Sequence, residues 1–317
     1  MHLLAAPDKF RGTLSAREAA AAIAAGAERA GWAATELPLA DGGDGTLDVL
    51  GGGNRRTTVT GPLGVPVEAE WRLEADGTAL VEAALACGLS LAGGPEHNDP
   101  LRATSRGVGE LVAAAAAEGA LRIVLAVGGV ASTDGGAGAV AALPADPPPI
   151  DVACDVAARF LDAADVFAPQ KGATPEQVEI LRERLARLEV PDLPGAGAAG
   201  GLAGGLAAVG ARLLPGFDLV ASRLGFDDRL AEADLVVTGE GLVDATSVTG
   251  KVVGRVLARA ESARVEALVL AGDVAAGSPI DAISLVERYG PRRALSESAE
   301  CLAELVETAL AARRSGP

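Results

Sequence analysis

The chain has 317 residues, of which 49% are hydrophobic and 22% charged, with a formal net charge of −16. That length exceeds what one core ordinarily holds, so two domains are expected. The acidity excludes nucleic acid and an anionic membrane surface as partners, and leaves a small anionic substrate held in a local basic pocket.

Residues 2–6 read as a first buried strand, followed by the polar loop Pro7 to Thr13. Ser15 and Glu18 form a capping box that opens a helix, which Gly31 ends. Residues 34–39 read as a second strand and deliver Asp41-Gly-Gly-Asp44-Gly-Thr46. This order is the start of an α/β domain with ligand loops at the carboxyl ends of strands. Beyond Gly61 the pattern changes: residues 66–73 and 78–83 flank the Asp76-Gly77 turn as a hairpin. A helix follows Arg106 and ends near Gly119; a buried strand, Ile123 to Val127, then delivers the glycine-rich loop Gly128 to Gly138. Ile150 to Cys154 is a further strand ending at Asp155. Thr174 and Gln177 form a second capping box around Pro175, with Val178, Leu181, Leu185 and Leu188 at helical spacing behind it. In the last third, strands are expected at 234–238, 265–271 and 281–286, and helices at about 250–261 and 297–313. The return to β–α alternation near Asp234 predicts a discontinuous Rossmann- or flavodoxin-like domain, residues 1–58 with 230–317, and an inserted mixed α/β domain, residues 59–229.

Seven acids, Asp8, Asp41, Asp44, Asp134, Asp155, Glu240 and Asp244, lie just after predicted strands. Each alone reads as a turn former or helix cap. Together they stand where α/β folds place ligands, and phosphoryl transfer uses carboxylates to bind a divalent cation and orient a hydroxyl. Lys9, Arg11, Arg106, Lys171 and Lys251 each sit in or beside a glycine turn, as solvated charges or as grips for an anion. Gly239 lets the chain come close to a ligand beside Glu240. Gly195-x-Gly197-x-x-Gly200 matches the dinucleotide fingerprint, but no strand precedes it. A tightly packed helix start and a phosphate-cradling turn remain open for it, beside the oxidoreductase reading. No P-loop is present, because Ala245 and Val252 break the pattern around Gly250-Lys251. His2 and His97 sit in no ligand spacing, so a general base is expected to be a carboxylate. Cys87, Cys154 and Cys301 suit reduced thiols of a cytoplasmic protein. No signal peptide or membrane-spanning segment is expected.

At these loops the chain resembles the type 1 glycerate kinase family. The matching segments are Ala6 to Ala16, Pro38 to Thr46, Asp99-Pro-Leu with Thr104 to Leu111, Gly128 to Gly138, Ala153 to Val156, Pro169 to Ala173, Pro194 to Gly201 and Thr238 to Lys251. They run in family order to about residue 272. The resemblance implies ATP-dependent, Mg²⁺-assisted phosphorylation of D-glycerate by two α/β domains with an active-site cleft between them. Under it, Asp134 or Asp41 orients the hydroxyl. Glu240 and Asp244 serve Mg²⁺ or its water shell. Arg11, Arg106 and Lys171 grip the substrate carboxylate or the moving phosphate, with Asp8, Asp44 and Asp155 also lining the substrate. Lys251, Gly239 and the turn of Gly195, Gly197 and Gly200 serve the nucleotide. The chain departs from the family in having Leu242 for Arg, Thr133 for Asn, Arg11 for Lys and Ala157-Ala158 in the loop after Asp155. The loss of a guanidinium at 242 predicts that Lys9 or Arg11 supplies the missing charge. The same departures support a second expectation, a paralogue that has changed its hydroxy acid or that binds without turnover.

Overall fold

The computed structural model describes residues 1–10, 12–248 and 251–314. Its strands are β1 (His2–Ala5), β2 (Ala33–Glu36), β3 (Arg55–Thr60), β4 (Pro66–Leu73), β5 (Thr78–Glu82) and β6 (Arg122–Ala126). They continue with β7 (Ile150–Ala153), β8 (Arg212–Leu214), β9 (Leu235–Val243), β10 (Glu266–Val274) and β11 (Ile283–Ser284). The chain divides into two units, Met1–Asp41 with Phe217–Pro317, and Gly42–Gly216.

The first unit is built on a five-stranded parallel sheet, ordered β11-β10-β9-β1-β2. Counted within the unit, this is the flavodoxin-like order 2-1-3-4-5. The apolar runs of β1 and β9 alternate between the two faces, as the strand period of two requires. Leu3, Ala5, Leu235 and Val237 join one core; Leu4 and Val236 join the other. The first core is closed by the helices Ala16–Arg29 and Ser298–Arg314, through Ile23, Leu302, Leu305 and Val306. The second is closed by the helix Val252–Ala263 and by Phe217 and Phe226, whose rings meet edge to face. The capping box at the start of Ala16–Arg29 forms as read: Ser15 accepts the Glu18 N–H at 3.2 Å and Glu18 accepts the Ser15 N–H at 2.8 Å.

The second unit carries a six-stranded mixed sheet in simple chain order, β3 to β8. β3, β4 and β5 pair antiparallel; β5 through β8 pair parallel. The hairpin turns at Gly77, where Asp76 accepts the Thr78 N–H at 2.9 Å. Trp71, wholly buried on β4, gives its indole N–H to Thr57 at 2.9 Å, so its one polar atom costs nothing in the core. The Thr174 cap with Pro175 opens the helix Pro175–Leu185 as the sequence implies.

Four expectations shift. The units part at Asp41/Gly42 and Gly216/Phe217 rather than at 58/59 and 229/230. Residues from Gly42 onward are packed on the second sheet, and Phe217 belongs to the first unit's core. β3 and β8 were not foreseen, because β3 buries only Val59 and β8 has three residues. The strand expected at 281–286 is two residues long, since Ser284 accepts the Glu287 N–H and caps the helix Leu285–Tyr289. No described helix is long and apolar enough to cross a membrane. All three cysteines are free, as expected.

Candidate active site

In the first unit the strand order reverses between β1 and β9: the chain leaves β1 toward β2, and leaves β9 toward β10. The connecting helices then lie on opposite faces, which opens a crevice at the carboxyl ends of these two strands. Asp8 follows β1 and donates its N–H to the Gly239 carbonyl at 2.9 Å. Glu240 closes the continuous buried run that begins at Leu235 on β9 and is 8% exposed. Gly239 is glycine for packing: a Cβ there would lie 2.1 Å from the Leu270 carbonyl oxygen.

The electrostatics of this crevice are those of crowded acids with limited compensation. Burial pushes the Asp8 carboxyl up to about 7, helped by the Asp41 and Glu240 charges and opposed by the amide and charge of Lys9. Burial also raises Glu240, against the Ser247 hydroxyl and the Lys251 ammonium. Asp244 moves the other way, held low by the hydroxyl and amide of Thr246 at 2.6 and 2.7 Å. Lys251 caps the helix Val252–Ala263, and its Nζ stands 3.8 Å from Glu240 Oε2 and 3.9 Å from Asp244 Oδ1. Glu240 Oε1 is buried with no hydrogen-bond partner.

Leu242 is half-exposed on β9 between the two acids in sequence. Lys251 is a cation within 4 Å of both acids. The one-turn helix Ala245–Val248 follows β9. Lys9 acts on Asp8 through its N–H at 2.7 Å and through its charge. Arg11 lies outside the described residues.

In the second unit the candidates are spread over several loops. Asp44 sits in the loop before the helix Thr46–Val49, against the Gly128-Gly129 backbone. Asp134 lies in the loop after β6 and accepts four hydrogen bonds: Ser105 N–H at 2.9 Å, Ser105 Oγ–H at 2.8 Å, and the Gly136 and Gly138 N–H groups at 3.1 Å each. Three of these bonds fall on Oδ2 and one on Oδ1, and they tie the carboxylate to its loop. Thr133 and Asp134 border a cavity of about 240 Å³, but Leu181, Leu185 and Leu188 make its far wall apolar. Arg106 makes a surface pair with Glu110 at 2.8 Å, four residues on.

Lys171 is 4% exposed, and its ammonium donates to the Ser132 carbonyl at 2.6 Å. Burial pulls its pKa down to about 8, with the Cys87 and Asp134 charges acting against that. Ser132 Oγ and Thr133 Oγ1 are buried beside it without partners. Gly200 is packed on the same loop: a Cβ would meet Ser132 O at 2.3 Å and Lys171 Nζ at 2.8 Å, and its φ is +68°. Gly200→Ala should therefore destabilise the protein by about 2–3 kcal/mol, measured as a fall in urea midpoint; an unchanged midpoint would show that the loop relaxes.

Asp155 follows β7, beside the Gly195 turn. Burial and then the Asp155 charge push the Cys154 thiol up to about 11. A Cβ at Gly195 would touch Cys154 Sγ at 3.3 Å, and one at Gly197 would lie 2.3 Å from the Arg159 carbonyl oxygen. Of the readings open for this turn, these contacts favour close packing. Among the described residues, no group of three or more His, Cys, Asp or Glu side chains is placed to hold a metal ion. Sequence reasoning passed over Ser105 and Glu82; the one signal for Glu82 was a carboxylate closing the apolar run Ala79-Leu-Val81.

Comparison with known proteins agrees with this architecture. The sequence profile of the Glycerate kinase family matches residues 3–148 and 145–310. The uncharacterized protein Mb2228c of Mycobacterium bovis is 43% identical over 100% of this chain and 93% of its own length. Glycerate 2-kinase of Escherichia coli is 37% identical over 80% of each chain. A solved structure described as a glycerate kinase 2 from Salmonella typhimurium LT2 superposes with a TM-score of 0.80, at 33% identity, over 100% of this chain and 99% of that one. The chain belongs to the glycerate kinase family.

Proposed function

We propose that this protein is an ATP-dependent kinase that phosphorylates a hydroxyl of D-glycerate. The observation that carries the reading is the group of acids Asp8, Asp41 and Glu240, with Lys251 within 4 Å of Glu240 and Asp244, at the strand-order reversal of a glycerate kinase family chain. Phosphoryl transfer asks a protein mainly for positioning and charge neutralisation. Lys251 stands beyond hydrogen-bond distance of both acids, so its donors are available to phosphate oxygens. Lys251→Ala should raise the KM for ATP at least about tenfold, with little change in the KM for glycerate; an unchanged KM for ATP would remove Lys251 from the nucleotide's phosphates.

Mg²⁺ usually takes one or two protein carboxylates and completes its shell with water and substrate phosphates. The unpartnered Glu240 Oε1, with Asp244 close to the same lysine, fits that donor set. When bound there, Mg²⁺ would supply charge neutralisation to the phosphates. Asp41, whose charge acts on both Asp8 and Glu240, is our choice to orient the attacking hydroxyl. The proton it accepts leaves as the alcohol oxygen bonds to the γ-phosphorus, while the bond from that phosphorus to the β,γ-bridging oxygen breaks and ADP departs with the electron pair. Arg106 is held only by an exposed pair of small worth, and can turn to a carboxylate with two parallel hydrogen bonds. The name of the Escherichia coli relative favours carbon 2 as the site of phosphorylation.

A coupled ADP-release assay with D-glycerate, ATP and Mg²⁺ tests the reading. Release that requires both glycerate and Mg²⁺ supports it. Glycerate binding without release would instead favour the paralogue that binds without turnover, for which half-exposed Leu242 between Glu240 and Asp244 is the motivating feature.

A further inference from the structure

We infer that Glu82 is a positioning residue: it fixes the loop Gly42 to Thr46 and so holds the Asp44 carboxylate where the hydroxy acid binds. The inference rests on the proposed reading of glycerate phosphorylation. Glu82 ends β5 and is 2% exposed. One of its carboxylate oxygens accepts the Gly45 N–H at 3.0 Å, and the other accepts the Leu47 N–H at 2.9 Å. Those amides open the helix Thr46–Val49. Its own cap residue, Gly45, has φ +92° and no side chain to bond with.

A helix start leaves its first N–H groups without internal partners, and a Ser, Thr, Asp or Asn at the cap usually takes one of them. Here a carboxylate from a different strand takes two. Keeping a charge in a buried strand end is costly unless its hydrogen bonds are made. The neighbours Ala79, Leu80, Val81 and Ala83 are all buried and apolar. A capping side chain within the loop would have closed the helix without that burial, but it would not have tied the loop to the sheet. The loop is fixed on two other sides as well. A Cβ at Gly128 would lie 2.5 Å from Gly43 Cα, one at Gly42 would lie 2.8 Å from the Ala153 carbonyl oxygen, and Thr46 Oγ donates to the Gly43 carbonyl at 2.6 Å. Asp44 is the exposed side chain in the middle of this clamped backbone.

A double-mutant cycle separates positioning from plain stability. Glu82→Gln keeps the side-chain shape but sets an amide donor against a backbone N–H. It is expected to raise the KM for glycerate at least about tenfold, with the KM for ATP little changed. In an Asp44→Asn background the same substitution should leave kcat/KM nearly unmoved, while its effect on the urea midpoint persists. An equal loss of kcat/KM in both backgrounds overturns the inference. Amide hydrogen exchange on the wild type covers a variant that fails to fold. The Gly45 and Leu47 amides should be protected like those of β5, and exchange at open-loop rates overturns the inference. If the wild type turns over no glycerate, the functional reading fails, and the exchange result still decides whether Glu82 holds the loop.

Discussion

Glu240→Gln is expected to lower kcat/KM for glycerate at least about a hundredfold, close to 2.7 kcal/mol of transition-state stabilisation, without loss of folding stability. Glu240 is buried within β9, and its Oε1 has no hydrogen-bond partner among the described residues. Burial raises its pKa, so the ionised form is held there at a cost. Glutamine relieves that cost and keeps the shape, while removing the charge that would attract a divalent cation and oppose Lys251. Steady-state kinetics across a Mg²⁺ titration, with a urea melt on the same preparation, give the comparison. Wild-type kinetics with wild-type Mg²⁺ dependence would remove Glu240 from the site.

Lys171 carries the second large effect, on stability and its pH dependence. Its folded pKa, about 8, lies below its ordinary 10.5 because the side chain is buried. The unfolded chain therefore binds the proton more tightly. Below about pH 8 the full cost of burying the charge applies; as pH rises from about 8 toward 10.5 the folded lysine loses its proton first and the cost is relieved. The wild type should gain about 3 kcal/mol across that window relative to Lys171→Met, in which nothing titrates at this position. Near neutral pH the two should be closer in stability than a buried hydrogen bond lost would suggest. Methionine removes the desolvation cost but leaves the Ser132 carbonyl without its donor. Urea unfolding of both proteins at several pH values measures the difference. A pH-independent difference would show that Lys171 titrates normally and is hydrated.

Much of the fold was legible because its signals are local. The runs Leu3 to Ala5, Ile123 to Ala126 and Leu235 to Val237 are buried strands and read as such. The capping boxes at Ser15 and Thr174 are complete within four residues of sequence. β3 was hidden because Arg55-Arg-Thr-Thr58 shows no apolar alternation; its partner β4 makes it a strand, residue by residue. The site was legible to the level of acids after strands, and no further. Which cation stands beside Glu240 depends on how the chain returns after β9, and two residues of that return lie outside the described ones. Lys171 read as part of a polar turn because Pro169-Gln-Lys-Gly172 carries no sign of burial, yet the loop after β6 closes over it. The Gly195 to Gly200 turn shows the limit from the other side: its spacing suits phosphate, and its neighbours are backbone carbonyls and side chains.

The most direct test of the account is the phosphorus NMR spectrum of the product formed from D-glycerate, ATP and Mg²⁺. The account predicts loss of the γ-phosphate signal and growth of one phosphomonoester resonance, split by the single proton on carbon 2. Splitting by two protons would move the chemistry to carbon 3. A spectrum in which ATP stays intact, or yields only inorganic phosphate, would contradict the assignment of this chain as a glycerate kinase in action.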